Sequence, residues 1–441
     1  MKIKTIITIL VLILTTTLKG ESQQELKKTL SLEECISKAI ESNYSVVISE
    51  NNLEITRNNV TLEPFLPSLS LSSRQSDSRT NQKNYQSDGA IQNSVVKSTS
   101  FINGASLSWR LFDGFSMFAT REKQQELLAQ GEYNFRSVVE NLIMKISSQY
   151  YSIISLQNQV NLLTELVNIS QIRYNQALTR YNIGSDSGLE YKQAKIYLNS
   201  DSSKLMLQKE NLKNAYLELY AMMNISFESD YVINDSIIPE SQLNLRNLLE
   251  MANENNTSLN ALKAGERVAQ LDTRVAISSR YPTLDFSAGY NYNINRSQLL
   301  PSKFNESDGM NWGFSISFPI FNGNEINRKI KNARLAQENA GLSLLKAQQD
   351  MESELRQLYN LYSNSLRLIE FEEESRESAY LNLEAAMEKY RLGSLSGIEF
   401  RDYQLSYLDA SDRKLRALYQ TKISEITLHL MAGELYNKKG K

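Results

Sequence analysis

The sequence predicts a mainly α-helical chain with duplicated halves, in which long antiparallel coiled-coil helices are combined with strands of a membrane β-barrel. Three observations support this fold class. The stretch RYNIGSDSGLEY (180–191) recurs as KYRLGSLSGIEF (389–400), four segments of about ten residues alternate between apolar and polar side chains, and two long stretches (114–184 and 323–393) lack proline. The 441-residue chain is therefore interpreted as one architecture built twice.

The duplication rests on a nearly constant offset between matching motifs. Gly184 and Gly393 of the twelve-residue stretches are 209 positions apart (393 − 184), and so are Gly114 of LFDG and Gly323 of IFNG. Two looser matches, LSLEECISKAIESN with LNLRNLLEMANENN and FLPSLSLS with RYPTLDFSAG, follow in the same order. We predict a first repeat at 23–225 and a second at 226–441, intertwined in one architecture.

Composition excludes several classes of function. The formal net charge of −2 gives no field that would attract nucleic acid. With one histidine and one cysteine, the chain has too few ligands for a transition-metal site and no intramolecular disulfide. We expect His429 on a helix surface and Cys35 buried in a helix. Because no nucleophile–base set is recognisable, we expect no enzymatic activity, no cofactor and no metal.

The N-terminus has the pattern of a secretory signal peptide. Lys2 and Lys4 precede an apolar run, Ile6 to Leu14, that is too short to span a bilayer, and small residues follow near position 22. We predict a signal peptide at 1–22. No later segment is long and apolar enough for a membrane helix, which leaves strands as the means of crossing a bilayer.

The four alternating segments have the length of tilted membrane strands, and we place them at about 64–75, 101–112, 283–293 and 312–321. Trp109 and Leu111 are expected on the apolar face of the second. One set of side chains is predicted to face lipid and the alternating set the lumen: Phe286, Tyr290, Phe314 and Phe318 against Asp285, Ser287, Ser315 and Ser317. The polar stretches 76–100 and 294–311 are predicted as loops. A soluble, half-buried sheet is the alternative.

Four strands cannot close a barrel. An open sheet edge in lipid leaves backbone groups unpaired, at a cost of several kcal/mol each. Other copies must therefore complete the sheet, and three copies of four strands give twelve, an even number in the range of bacterial barrels.

The proline-free stretches predict two long helices, each followed by a returning helix. We place these at about 114–181 with 189–224 and 324–390 with 398–433, and shorter helices at about 31–61 and 242–279. Apolar residues in steps of four and three indicate a coiled-coil seam, in which Glu372 and Arg376 are polar exceptions able to pair. Gly184 and Gly393 are expected to end the long helices at C′, and Ser187 and Ser396 to cap the return helices in capping boxes with Glu190 and Glu399.

Together, these features resemble the TolC-like outer membrane efflux protein family across the whole mature chain. The most specific resemblance lies in the stretches YNIGSDSGLEYKQA and YRLGSLSGIEF and in the turns LFDG and IFNG. The resemblance implies a homotrimer in the outer membrane of a Gram-negative-type bacterium, embedded in outer membrane lipid and continued by a periplasmic tunnel of helices. It implies two further partners, a periplasmic adaptor (membrane fusion protein) and an inner membrane pump.

The resemblance also implies functional positions. In the family, the turns between the long helices dock onto the adaptor. The resemblance therefore implies that these residues form the docking surface here: Tyr181, Ile183, Gly184, Ser185, Gly188, Tyr390, Leu392, Gly393, Ser394 and Gly397. Acidic rings that constrict the tunnel correspond to Glu399 and Asp402, with Glu190 as the counterpart in the first repeat and Tyr390 as a possible latch to it. An arginine of the family's second turn is replaced by Leu395.

The resemblance implies a passive exit duct for small molecules or proteins. The alternative is a trimeric structural or adhesive surface protein with a coiled-coil stalk. Eleven scattered methionines give no support to a metal-ion cargo, so drugs, peptides and secreted proteins stay open as substrates.

Overall fold

The computed structural model describes residues 28–185, 188–297 and 303–436, and the predicted signal peptide at 1–22 lies outside these ranges. The helices within them are α1 (Leu32–Ser42), α2 (Tyr44–Asn58), α3 (Ser116–Asn182), α4 (Leu189–Met222), α5 (Leu245–Asn255), α6 (Thr257–Ser278), α7 (Glu325–Arg391) and α8 (Gly397–Ala432). The strands are β1 (Lys28–Thr29), β2 (Ser68–Tyr85), β3 (Ile91–Asp113), β4 (Tyr231–Val232), β5 (Thr283–Ser297) and β6 (Phe304–Ser317). Helix predominates, as predicted.

The described residues form two compact units, and each unit takes residues from both sequence repeats. Unit 1 contains those within Met1–Tyr44, Asn141–Leu245 and Gln357–Leu430, and therefore holds both turns between long helices. Unit 2 contains those within Ser45–Glu140, Arg246–Arg356 and Met431–Lys441, and therefore holds the large sheet. Among the described helices, none combines the length and apolar character that a bilayer span requires.

The duplication is visible in the backbone. Helices α3 and α7 both have 67 residues, and their ends are separated by the same 209 positions as the sequence motifs. Each begins after two consecutive left-handed residues, Gly114 (φ 70°) with Phe115 (φ 73°) and Gly323 (φ 60°) with Asn324 (φ 66°). A Cβ at Gly114 would lie 2.5 Å from the Ser278 carbonyl oxygen, so this turn requires glycine for space as well as for conformation.

The long helices form two antiparallel pairs in unit 1. In hairpin 1 (α3 with α4), hydrogen bonds join Gln149 to the Ala215 carbonyl oxygen (2.9 Å) and Gln208 to Gln159 (2.6 Å), so residue numbers rise on one helix as they fall on the other. In hairpin 2 (α7 with α8), the rings of Tyr380 and Tyr407 and of Tyr390 and Phe400 meet in the same way. The predicted antiparallel arrangement is confirmed.

The shorter helices differ from the prediction. The segments predicted as single helices at 31–61 and 242–279 each break at an asparagine, Asn43 and Asn256. The Asn43 side chain donates to the Met222 carbonyl oxygen (2.9 Å) at the end of α4, and Asn256 donates to the Met431 carbonyl oxygen (3.0 Å) near the end of α8. Each side chain thus satisfies a terminal carbonyl of a return helix. The interruption of the short helix at the asparagine positions the side chain for this hydrogen bond.

The sheet has the order β2–β3–β5–β6 and is antiparallel throughout. Its strands are longer than predicted, because β2 and β3 extend through most of 76–100 to a turn near Gly89. Likewise, β5 and β6 take up most of 294–311, so both predictions of long polar loops are wrong. Serine, threonine and asparagine occupy both faces of these extensions, which removes the apolar alternation that marks a half-buried strand.

The apolar side chains of the four strands share one face, as the alternation predicts. The register pairs Leu69 with Leu107, Trp109 with Phe286 and Phe286 with Phe314, whose ring centroids lie 5.0 Å apart. Two residues depart from the prediction. Phe318, expected on the lipid-facing side of the last strand, lies just beyond the end of β6 at Ser317. A β-bulge between Arg110 and Phe112 leaves Leu111 without a partner and sets Phe112, not Leu111, opposite Leu284.

Candidate functional site

The turns at the ends of the two hairpins have the same backbone structure. In tip 1, between α3 and α4, the Gly184 N–H donates to the Tyr181 carbonyl oxygen (3.0 Å) and the Ser185 N–H to that of Arg180 (2.9 Å). In tip 2, between α7 and α8, Gly393 and Ser394 make the equivalent bonds to Tyr390 (3.1 Å) and Lys389 (2.9 Å). Together with φ values of 75° for Gly184 and 78° for Gly393, these bonds form Schellman motifs, so the predicted C′ glycines are confirmed.

The start of the return helix differs between the tips. At tip 2, Ser396 and Glu399 form the predicted capping box, in which the Ser396 N–H donates to Glu399 Oε2 (3.0 Å) and the Glu399 N–H to Ser396 Oγ (3.3 Å). At tip 1, Ser187 lies outside the described residues, and Gly188 (φ 83°) occupies the cap position without a side-chain hydrogen bond. Gly397 is instead the first residue of α8.

Four aliphatic side chains at the tips are exposed to nearly equal extents in the two repeats. Ile183 is 73% exposed and its counterpart Leu392 75%, while Leu189 is 74% exposed and its counterpart Ile398 67%. Each tip therefore has two exposed aliphatic side chains that flank its turn in the sequence, and grouped apolar side chains of this kind can mark an interaction surface. The two tips thus present matching apolar surfaces.

The aromatic residues beneath these surfaces are not equivalent. Tyr390 and Phe400 stack with ring centroids 5.2 Å apart, and both are 1% exposed. Their counterparts Tyr181 and Tyr191 lie 4.7 Å apart, yet Tyr181 is 44% exposed. The difference arises because hairpin 1 covers the pair on hairpin 2.

Two arginines of α3 form this cover. Arg180 Nη2 donates to the Tyr390 carbonyl oxygen (2.5 Å), and its guanidinium lies 5.0 Å from the centre of the Tyr390 ring. The buried Arg173 guanidinium lies 5.8 Å from the Tyr390 ring and 5.9 Å from the Phe400 ring. Cation–π contacts of this kind gain strength where water is excluded. A positive charge thus reaches tip 2 from hairpin 1, although Leu395 replaces the arginine that the family resemblance leads one to expect.

A buried ion pair lies deeper in the same seam between the hairpins. Arg401 of α8 forms a bidentate pair with Asp201 of α4 (Nη1–Oδ2 2.6 Å and Nη2–Oδ1 2.7 Å), and the Asp201 side chain is completely buried. Ser170 of α3 donates to the same carboxylate at 2.7 Å, and Gln404 Nε2 donates to Ser170 Oγ at 3.5 Å. The network joins three helices across the two hairpins.

Sequence reasoning did not identify Arg173, Asp201 or Arg401. The repeat itself contains the signal, because Arg173 and Asp201 align with Asn382 and Ala410 and Arg401 aligns with Lys192. Charged residues that occur in one repeat only indicate contacts that the repeats do not share.

The three predicted carboxylates lie in different environments. Glu399 and Asp402 are exposed on the first turns of α8. Hydrogen bonds from Ser396 lower the pKa of Glu399. Glu190 is half-buried, with Oε1 4.0 Å from Arg180 Nη1, and lies against Gly397 of hairpin 2, where a Cβ would be 3.1 Å from the same oxygen.

The Tyr390 hydroxyl lies near Glu190 but completes no hydrogen bond with the residues described here. Burial is the main cause that raises the pKa of Tyr390 to about 12, and the Glu190 carboxylate acts in the same direction. The tyrosine is therefore neutral at physiological pH, and the latch between Tyr390 and Glu190 stays a prediction.

The single histidine belongs to the only described group with metal-ligand geometry. Glu240, Glu425 and His429 place one ligand atom each within 4.8 Å of one another. However, Lys422 Nζ already donates to Glu425 Oε1 (2.6 Å), and the Glu240 N–H donates to Glu425 Oε2 (2.9 Å). A divalent cation would have to displace or tolerate the Lys422 ammonium, so this group is an ion-pair cluster.

Comparison with known proteins identifies a family and relatives that span most of the chain. The model of the outer membrane efflux protein family matches residues 35–224 and 248–434. The chain is 20% identical over 323 residues to the outer membrane protein TolC of Vibrio cholerae, which covers 73% of this chain and 74% of the relative. It is 20% identical over 383 residues to the outer membrane protein TolC of Escherichia coli K12 (84% and 75%).

The fold is also similar to that of solved structures. The Campylobacter jejuni CmeC outer membrane channel superimposes with a TM-score of 0.75, at 16% identity, over 93% of this chain and 87% of that one. At this level of identity the similarity establishes the fold.

Proposed function

Because the chain belongs to the outer membrane efflux protein family, we propose that it is a passive exit duct of a tripartite efflux or type I secretion system. The predicted resemblance to TolC-like proteins is confirmed, and so is the outer membrane location that the family implies. The duct would receive small molecules or proteins from an inner membrane pump through a periplasmic adaptor. The family match favours this function over that of a structural or adhesive stalk.

The observation that carries the proposal is the four-stranded sheet with an apolar face. Within the described residues, β2 and β6 each pair along one edge only. In lipid, such edges are too costly to stay unpaired. We infer that three copies share their sheets in a twelve-stranded barrel, with Phe286, Tyr290 and Phe314 toward lipid and the Arg110–Asp285 ion pair (2.9 Å) toward the lumen.

We infer further that the matching apolar surfaces of the tips dock onto the adaptor. A trimer presents six tips, and Ile183, Leu189, Leu392 and Ile398 give each of them two exposed aliphatic side chains. An adaptor with sixfold pseudo-symmetry would meet the same chemistry at every position. This accounts for the occurrence of the loop twice in one chain.

Glu399 and Asp402 are our candidates for a constriction of the tunnel. Three copies would place six carboxylates near one axis, where like charges bind cations and raise one another's pKa. Glu190 is a less direct candidate, because its carboxylate lies beside Arg180.

Two measurements on the detergent-purified protein test the proposal. Native mass measurement should give three copies, and planar bilayers should show discrete, cation-selective conductance. A stable monomer in the membrane, or a trimer that does not conduct, would overturn the duct. The variant Glu399→Ala/Asp402→Ala should conduct more and select less for cations; unchanged selectivity would overturn the constriction alone.

A further inference from the structure

The two repeats allow the tip residues to be sorted by what covers them. Aliphatic residues that are equally exposed in both repeats, such as Ile183 and Leu392, suit a partner that makes equivalent contacts with both tips. Residues that are buried in one repeat and exposed in the other, such as Tyr390 and Tyr181, face a lateral neighbour that only one of them has in the single chain. Residues that are buried in only one repeat therefore mark, in the other repeat, a surface whose lateral neighbour lies outside the single chain.

The contact between hairpin 1 and hairpin 2 within one chain shows how an aromatic pair is covered; we call this contact the seam. Hairpin 1 lays Arg173 and Arg180 of α3 over Tyr390 and Phe400 of hairpin 2. Arg180 also donates to the carbonyl oxygens of Tyr390 (2.5 Å) and Arg391 (3.3 Å), and thereby satisfies the free C-terminal end of α7. An aromatic pair and a helix end are therefore covered together by long cationic side chains.

The exposed surfaces contain the equivalent residues with the hairpins exchanged: the aromatic pair lies on hairpin 1 and the positions of the covering side chains lie on hairpin 2. Tyr181 and Tyr191 of hairpin 1 form an aromatic pair beside the C-terminal end of α3, and Tyr181 is 44% exposed. On hairpin 2, Asn382 and Lys389 occupy the positions that Arg173 and Arg180 hold on hairpin 1, and both are exposed. An exposed cationic side chain, Lys389, thus lies on hairpin 2, and an exposed aromatic ring that could accept it, Tyr181, lies on hairpin 1.

We propose that these two surfaces meet between copies of the chain: hairpin 2 of one protomer covers Tyr181 and Tyr191 of the next, with Lys389 over Tyr181. This inference rests on the proposed trimer. The surfaces are different patches of one chain, so the contact is heterologous, and three such contacts close a ring. The Lys389 ammonium would lie over the Tyr181 ring and donate to the carbonyl oxygens at the end of α3, as Arg180 does within the chain.

The seam between copies has fewer strong contacts than the seam within a copy. Lys389 has a compact ammonium group at the position where Arg180 has a planar guanidinium with several N–H donors. Asn382 carries no charge at the position of Arg173. The buried pair of Asp201 with Arg401 corresponds to Ala410 with Lys192, which cannot pair. The ring would therefore contain three strong and three weak seams in alternation.

Thiol cross-linking tests the contact in purified protein without any adaptor. In a Cys35→Ser background, Tyr181→Cys/Lys389→Cys is treated with a bifunctional maleimide whose span matches an extended arginine side chain. We expect denaturing gels to show dimers and trimers. The matched internal pair, Arg180→Cys/Tyr390→Cys, should cross-link at monomer mass, and neither Tyr181→Cys nor Lys389→Cys alone should form these products.

Co-expression of the two single-cysteine chains should also give cross-linked dimers, because the contact lies between copies. Native mass measurement of the same preparations separates the possible failures. A trimer in which Tyr181→Cys/Lys389→Cys stays at monomer mass overturns the seam and leaves the proposed duct intact. If cross-links appear only after an adaptor is added, the trimer alone does not form the contact and the seam is likewise refuted. Absence of the trimer would refute the proposed assembly itself.

Discussion

Replacing Asp201 with alanine is expected to destabilise the packing between the two hairpins. The substitution leaves the Arg401 guanidinium buried without its bidentate partner and removes the acceptor of the Ser170 hydroxyl. Removing one member of a buried pair costs about 3–5 kcal/mol, since the remaining charge stays desolvated. We therefore expect the region around the tips, rather than the sheet of unit 2, to lose stability.

Hydrogen exchange followed by mass spectrometry measures this local effect. Because about 1.4 kcal/mol corresponds to a tenfold change, amides of α4 and α8 near the pair should exchange on the order of 100-fold faster or more. The control is Glu352→Ala, which removes an exposed i,i+4 partner of Arg356 and should cost less than about 1 kcal/mol.

Exchange near the tips that is no faster in Asp201→Ala than in Glu352→Ala would refute a stabilising role of the buried pair. A second variant separates the lost pair from general damage to the packing. Asp201→Leu/Arg401→Met removes both charges, and we expect it to recover most of the protection, because apolar replacements of a buried pair are often neutral or stabilising. Protection that stays as low as in Asp201→Ala would show that shape, and not the unpaired charge, is decisive.

Three further predictions concern the tips, the sheet and the cysteine. Gly184→Val and Gly393→Val should each abolish export while trimers persist on native gels, because a left-handed residue with a Cβ costs roughly 1–2 kcal/mol and a β-branched one more; normal export would contradict this. A bulky hydrophilic maleimide should label Ser315→Cys in an open trimer and spare Phe314→Cys, and the reverse would exchange the two faces of the sheet. Burial raises the pKa of Cys35 to about 12, so its thiol should react at pH 8 only after unfolding, whereas rapid reaction of the folded protein would contradict its burial.

The parts of the fold that depend on local pattern were predictable from sequence. The 209-residue offset recurs in the ends of α3 and α7, and the alternation around Trp109 and Phe286 correctly places these residues on one face. Gly393 and Ser396 have the conformations that helix-end chemistry predicts. In each case the residues that determine the structure lie within a few positions of one another, or repeat at a fixed period.

The parts that depend on distant contacts were not predictable. The breaks at Asn43 and Asn256 result from hydrogen bonds to carbonyls about 175 to 179 positions away. Arg376, expected to pair with Glu372, instead pairs with Glu373 at 2.8 Å, while Glu372 accepts from Arg413 of the return helix at 2.9 Å. A period along one helix does not show which charges an adjacent helix supplies.

The equal length of α3 and α7 limits how this chain can change during evolution. Each helix has 67 residues, and each extra turn adds about 5.4 Å along its axis. An insertion of four residues in α3 alone would shift tip 1 by about one turn relative to a partner that contacts both tips, whereas the same insertion in both helices would shift the tips together. Insertions and deletions in this gene should therefore occur in pairs, at positions about 209 codons apart.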